Sequence, residues 1–142
     1  MDGNQLNYYK KTQILTAEPA KIILMLYDGA ISFMQQAARA AEQKAYIERA
    51  NKITRTNNIL LELLSSLDFE YGGEIAKNLR EIYVFLVKEL IKADLENNPE
   101  TIQQCSQVLE TIRDAWITIV NNRANNEPNV PEKGRMSFSN LA

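Results

Sequence analysis

The sequence contains no histidine. That absence removes an imidazole base, the Ser–His and Cys–His pairs, and His ligands to zinc or iron. It also removes the Glu-x-x-His signature of di-iron bundles. Cys105 is the only cysteine, so no disulfide closes within the chain, which fits a reducing compartment. Five glycines and four prolines leave little material for a Gly-rich phosphate loop. A net charge of −2 gives no global pull toward nucleic acid or an anionic membrane. No apolar run approaches the roughly 18 residues of a membrane span. The start, Met1-Asp2-Gly3-Asn4-Gln5, lacks the basic and apolar regions of a signal peptide. A cytoplasmic location without membrane insertion is the expectation. Carboxylate pairs such as Glu70 and Glu74, or Asp94 and Glu96, fall at loops and solvent faces. With no convergent partner they read as solvated charges, and no enzyme, metal or cofactor is expected.

What is present is helical periodicity. At 142 residues the chain is the size of one domain. Its breakers are clustered, with none between residues 30 and 71 or between 74 and 98. The first helix is expected from about Glu18 to Ala41, with Pro19 at its first position. Ile23, Leu26, Ala30, Phe33 and Ala37 form one stripe, and Leu24, Tyr27, Ile31, Met34 and Ala38 a second beside it. The second helix is expected over Ala45–Leu67, its seam running through Tyr46, Ala50, Ile53, Asn57, Leu60, Leu64 and Leu67. Asn57 is the polar residue of that seam. It is either a buried register-setting amide or a polar contact to a partner. The third helix is expected over Gly73–Leu95, with Ile75, Leu79, Ile82, Leu86 and Leu90 as its seam. The run Tyr83-Val84-Phe85-Leu86-Val87 is apolar on more than one side. The fourth is expected over Pro99–Asn122, with Asn98 as N-cap and a strict alternation through Ile102, Cys105, Leu109, Ile112, Trp116 and Ile119. Cys105 on that stripe is a small buried hydrophobe.

Connections at about 42–44, 68–72 and 96–98 force consecutive helices to reverse direction, with Gly72-Gly73 read first as a tight turn. The fold class is therefore all-α, an antiparallel up-down-up-down four-helix bundle over 18–122. An N-terminal arm (1–17) precedes it, and a polar tail (123–142), expected to be disordered, follows. Helices 1, 2 and 3 carry more apolar surface than a bundle seam needs. A larger ordinary core, a second copy of the chain, or a partner's amphipathic helix would each cover it.

Several stretches together resemble a known family. Tyr9 is followed by Thr16-Ala17-x-Pro19 and Leu24-Met25-Leu26-Tyr27-Asp28-Gly29-Ala30. Ser66-Leu67-Asp68 precedes Gly72-Gly73-Glu74-Ile75-Ala76-x-Asn78-Leu79. Ile82-Tyr83, then Ala93-Asp94-Leu95 before Asn98, and finally Ile112-Arg113-Asp114-Ala115-Trp116 complete the set. In order and spacing these are similar to the motifs of the FliS family of flagellar secretion chaperones. Two positions depart: Glu18 stands where the family usually has Ser or Thr, and Ile117 where Lys often follows the tryptophan.

The resemblance implies a bundle that binds the C-terminal segment of flagellin in the cytoplasm. It also implies that the bundle blocks premature polymerisation and helps hand flagellin to the flagellar export apparatus. It implies an arm, represented here by Tyr9, Ile14 and Leu15, that covers part of the groove until flagellin displaces it. The surplus apolar positions expected to meet the partner are Leu24, Met25 and Tyr27, then Leu61, then Ile75, Leu79, Tyr83 and Val87. Each of these fits the core equally well. For Gly72-Gly73, a backbone contact to the partner is the second reading. A self-assembling bundle whose surplus stripe is a weak homodimer interface is the rival from another class.

Overall fold

The computed structural model describes residues 19–126. Four helices account for them: α1 (Pro19–Glu42), α2 (Tyr46–Ser65), α3 (Phe69–Glu96) and α4 (Pro99–Asn126). No strand occurs among the described residues. α1 packs against α2 and α4, and α3 closes the square against the same two neighbours. This is the expected all-α up-down-up-down bundle. The first four residues of the expected tail, 123–126, instead continue α4; the expected arm and the rest of the tail lie outside the described residues.

The turns are short because the chain reverses within each helix end. At the end of α1, Lys44 takes a left-handed φ of 57°. Its N–H donates to the Ala41 carbonyl at 3.1 Å, and the Ala45 N–H to the Ala40 carbonyl at 2.8 Å. The end of α3 repeats this at Asn97, with a φ of 50°. There the Asn97 and Asn98 N–H groups donate to the carbonyls of Asp94 and Ala93. Both are Schellman closures, which satisfy carbonyls a helix end leaves unpaired. Asn98 then caps α4 as expected, its Oδ1 accepting from the Thr101 N–H at 3.2 Å.

The α2–α3 connection departs from expectation. Asp68 caps a helix that begins at Phe69, accepting from the N–H groups of Glu70 and Tyr71. Gly73 interrupts that helix with φ 51° and ψ −125°. Gly72-Gly73 is thus a kink inside α3 and not the interhelical turn. The aspartate nucleates a helical turn ahead of the glycines, and only glycine adopts the Gly73 dihedrals readily.

Inside the square, Tyr27, Met34, Leu60, Leu63, Tyr83, Leu86, Leu90, Ile102 and Leu109 are wholly buried. Small residues on α1 (Ala30, Ala37, Ala38 and Ala41) are buried with them. They let α1 present a broad face to two neighbours, as its paired stripes required. On α2 the buried set is Ile53, Thr56, Leu60 and Leu63, so the seam turns one residue away from the expected Asn57 and Leu64. Thr56 can be buried because its hydroxyl donates to the Lys52 carbonyl of its own helix at 2.9 Å. On α3 the buried set is Gly72, Ala76, Leu79, Tyr83, Leu86, Leu90 and Ala93. Ile75, expected in the seam, is 55% exposed.

Candidate partner-binding surface

Helical phase, at about 100° per residue, sorts the outer side chains of each helix into two flanks. On α4, Gln103, Glu110 and Arg113 bond to Glu42, Gln35 and Asp28 of α1. That flank therefore faces α1, and the opposite one, with Val108, Ile112 and Ile119, faces α3. On α2, Lys52 and Arg55 lie over the Phe33 ring of α1 at 5.6 and 5.8 Å. The Ile59 Cδ1 sits 3.3 Å from where a Cβ on Gly29 would be. The other flank of α2, with Ala50, Asn57 and Leu61, faces α3.

The two seams of α1 are thus clasped by polar and cation–π contacts. Asp28 and Arg113 form an ion pair beside Asp114 and Glu110. The hydrogen bond that Arg113 donates to Asp28, with the charge of that carboxylate, raises the guanidinium still further above neutrality. The two seams of α3 are different. Toward α2, Val84, Val87, Ile91 and Leu95 share a flank of α3 by helical phase, and Leu61 and Ile47 share the flank of α2 beside it. Ile47, Leu61, Ile91 and Leu95 are all at least half exposed. Toward α4, Ile75, Ile82 and Phe85 face Val108, Ile112 and Ile119, and Ile75, Phe85, Val108 and Ile119 are exposed. On this second side Cys105 is buried and its thiol is pushed up to about 11, chiefly by burial and further by the charge of Glu89.

One polar lacing interrupts the first seam. At the end of the bundle, Arg49 Nε donates to Asp94 Oδ1 and Nη1 to Asn97 Oδ1, each at 2.7 Å. Asn97 Nδ2 in turn donates to the Ala41 carbonyl at 3.1 Å. This network ties α1, α2 and α3 together and sets the antiparallel register of α2 on α3. Ile47 and Leu61 are 14 residues apart on α2. That spacing spans about 21 Å at 1.5 Å per residue, close to four helical turns, with the exposed Thr54 and Asn58 on the same flank between the two.

Of the expected contact residues, Leu61, Ile75 and Val87 lie on these two seams. Met25 is exposed on the outer face of α1, and Leu24 is half-buried and packed against the core, so both lie apart from either α3 seam. Tyr27, Leu79 and Tyr83 are corrected to core positions. Tyr27 and Tyr83 are 0% and Leu79 is 8% exposed. The two tyrosine hydroxyls meet across the bundle axis at 2.6 Å, and the Trp116 indole bonds Tyr27 as well. Burial pushes Tyr27 up to about 12 and Tyr83 higher still. Tyr9, Ile14 and Leu15 lie outside the described residues. Ile47, Phe85, Ile91, Leu95 and Val108 were missed. Their signal was available: each is a hydrophobe out of phase with its helix's stripe. No helix among the described residues is long and apolar enough to cross a membrane.

Comparison with known proteins bears directly on this surface. Residues 2–123 match the family described as flagellar protein FliS. The chain is 34% identical over 116 residues to the flagellar secretion chaperone FliS of Campylobacter jejuni, covering 82% of this chain and 91% of that protein. Its identity to the FliS of Vibrio cholerae is 33% over 115 residues, 78% of this chain and 85% of that one. To the FliS of Salmonella typhimurium it is 34% over 107 residues, 75% and 79% respectively. The matched segment contains both walls of each α3 seam, and the chain belongs to the FliS family of flagellar secretion chaperones.

Proposed function

We propose that the chain binds the C-terminal segment of flagellin in the cytoplasm, keeps it from polymerising early, and helps deliver it to the flagellar export apparatus. The observation that carries this is the set of large apolar side chains left exposed along the two flanks of α3, Ile75, Phe85, Ile91 and Leu95, with Ile47, Leu61, Val108 and Ile119 on the neighbouring helices. A segment that is disordered when free folds as an amphipathic helix against such a groove. Ordering it costs about 2–5 kcal/mol. Completing the burial of four half-exposed large side chains returns a similar amount, at about 1 kcal/mol for half of each, before the client's own apolar face is counted. A client that covers both flanks of α3 doubles that term. The arm, through Tyr9, Ile14 and Leu15, occupies part of the same surface until the client displaces it.

Isothermal titration of the chain with a peptide of the flagellin C-terminus from the same organism is the test. Saturable binding with a negative heat-capacity change is expected. No heat at high micromolar peptide would refute the assignment. Removing residues 1–15 should tighten binding; unchanged affinity with the bundle still folded counts against arm displacement. A second copy of the chain would also cover an exposed apolar seam. Sedimentation at two concentrations separates the readings, since a tight dimer indifferent to peptide supports self-assembly instead.

A further inference from the structure

Asn57 is placed where a polar residue has no internal work to do. Its Oδ1 is buried without a hydrogen-bond partner among the described residues. An amide that fixes the register of a bundle does so by pairing with a facing polar group, and this one has none. The register of α2 on α3 is set elsewhere, by Arg49 with Asp94 and Asn97. Next to it on the same helix, Thr56 is buried with its hydroxyl satisfied by the Lys52 carbonyl, so α2 already has a polar residue that fits its core. An unpaired buried carbonyl carries a free-energy penalty in the free protein.

The position of Asn57 gives that penalty a use. The residue as a whole is half-buried, on the α3-facing flank of α2 and one turn from Leu61, with its Oδ1 itself turned inward. We propose that Asn57 sets the register of the client helix in the α2–α3 groove, its amide oxygen accepting from a hydroxyl or amide side chain on that helix. This rests on the client reading above. A Leu in the client slides along an apolar groove at little cost, whereas a single polar pair fixes one alignment. The outer torsion of an asparagine is a broad two-fold rotor, so the oxygen swings from the seam to the groove without disturbing the helix.

The test uses the full chain, Asn57→Ala and Asn57→Leu, titrated with the flagellin C-terminal peptide. It adds single-alanine variants of that peptide at each Ser, Thr, Asn and Gln. Both variants should melt no lower than the wild type, because an unpaired amide is removed. Both should bind the parent peptide about two- to tenfold more weakly, the worth of one net hydrogen bond. One peptide variant should weaken the wild type by a similar factor and leave Asn57→Ala unaffected. Equal affinities and the same alanine profile for wild type and variants would overturn the proposal. So would lower melting temperatures for both variants with unchanged binding, which would make Asn57 a bundle residue. If the wild type binds no peptide, the client reading itself has failed, which is a different result from a wild type that binds with Asn57 idle.

Discussion

Replacing Tyr27 by Phe deletes one oxygen and two hydrogen bonds. The Tyr27 hydroxyl meets that of Tyr83 at 2.6 Å and is also bonded by Trp116, whose indole N–H can only donate. All three side chains are buried. Tyr83→Phe breaks one bond and leaves Tyr27 with the indole, so its expected cost is about 1–2 kcal/mol. Tyr27→Phe strips a partner from both Tyr83 and Trp116 and should cost about 2–4 kcal/mol. The double variant should fall short of additivity by about 1 kcal/mol, because the shared bond is counted once in each single variant. Urea unfolding followed by far-ultraviolet circular dichroism reads these values, provided the slope is unchanged between variants. Equal and additive costs for the two single variants would refute the three-residue network. A fall in peptide affinity with no loss of stability would refute the core assignment and restore the tyrosines as contact residues.

Four further outcomes follow from buried, strained or closely approached groups. Tyr27, raised to about 12, and Tyr83, raised further, keep their protons in the fold after the unfolded chain starts to lose them near pH 10. Their contribution is therefore constant below about pH 10, and stability falls above it by up to about 1.4 kcal/mol per pH unit for each tyrosine; Tyr27→Phe should halve that slope in alkaline melts. Gly73→Ala should destabilise by about 1–3 kcal/mol purely through its backbone, since a Cβ there meets nothing within 4 Å. Gly29→Ala should be near neutral by the same urea assay, because helix propensity gains about 1 kcal/mol against a Cβ contact at 3.3 Å with the flexible end of Ile59. Cys105, buried with its thiol pushed up to about 11, should react with an aromatic disulfide reagent no faster than the bundle opens; rapid labelling at pH 8 without denaturant would contradict the packing of α4.

The number of helices, their direction and the N-cap at Asn98 were legible because each depends on neighbours in sequence. The phase of α2 and α3 was not. A stripe through Asn57 and Leu64 and one through Thr56 and Leu63 fit the 3–4 spacing equally well. The choice belongs to tertiary chemistry: Thr56 finds the Lys52 carbonyl, while nothing meets Asn57 Oδ1. Likewise Ile75 and Ile82 look like better core residues than Ala76 and Tyr83. Tyr83 turns inward because a hydroxyl from α1 awaits it. That exchange moved Tyr27 and Tyr83 out of the expected contact set and brought Phe85 and Ile91 into it. The Gly72-Gly73 pair misled for a different reason, since an Asp68 cap outweighs a glycine as a helix boundary.

The same rotation explains how α3 can be both wall and docking ridge. Its inner face is anchored by the Tyr83 hydroxyl and by Leu86, Leu90 and Ala93, all at 0% exposure. Those contacts anchor the helix from its inner face, and Asp94 and Asn97 add a tie to Arg49 of α2 on one flank. On the proposed reading, a ridge anchored from beneath can take up a client while keeping its place in the bundle. α1 cannot serve this way. Its flanks carry Asp28, Gln35 and Glu42 toward α4, and Phe33 under two cations toward α2. An apolar client laid there would have to desolvate or break those polar groups without replacing their partners. The polar contacts on α1 and the exposed apolar side chains of α3 therefore support the proposed reading together: the first disfavour an apolar client there, and the second offer it surface to bury.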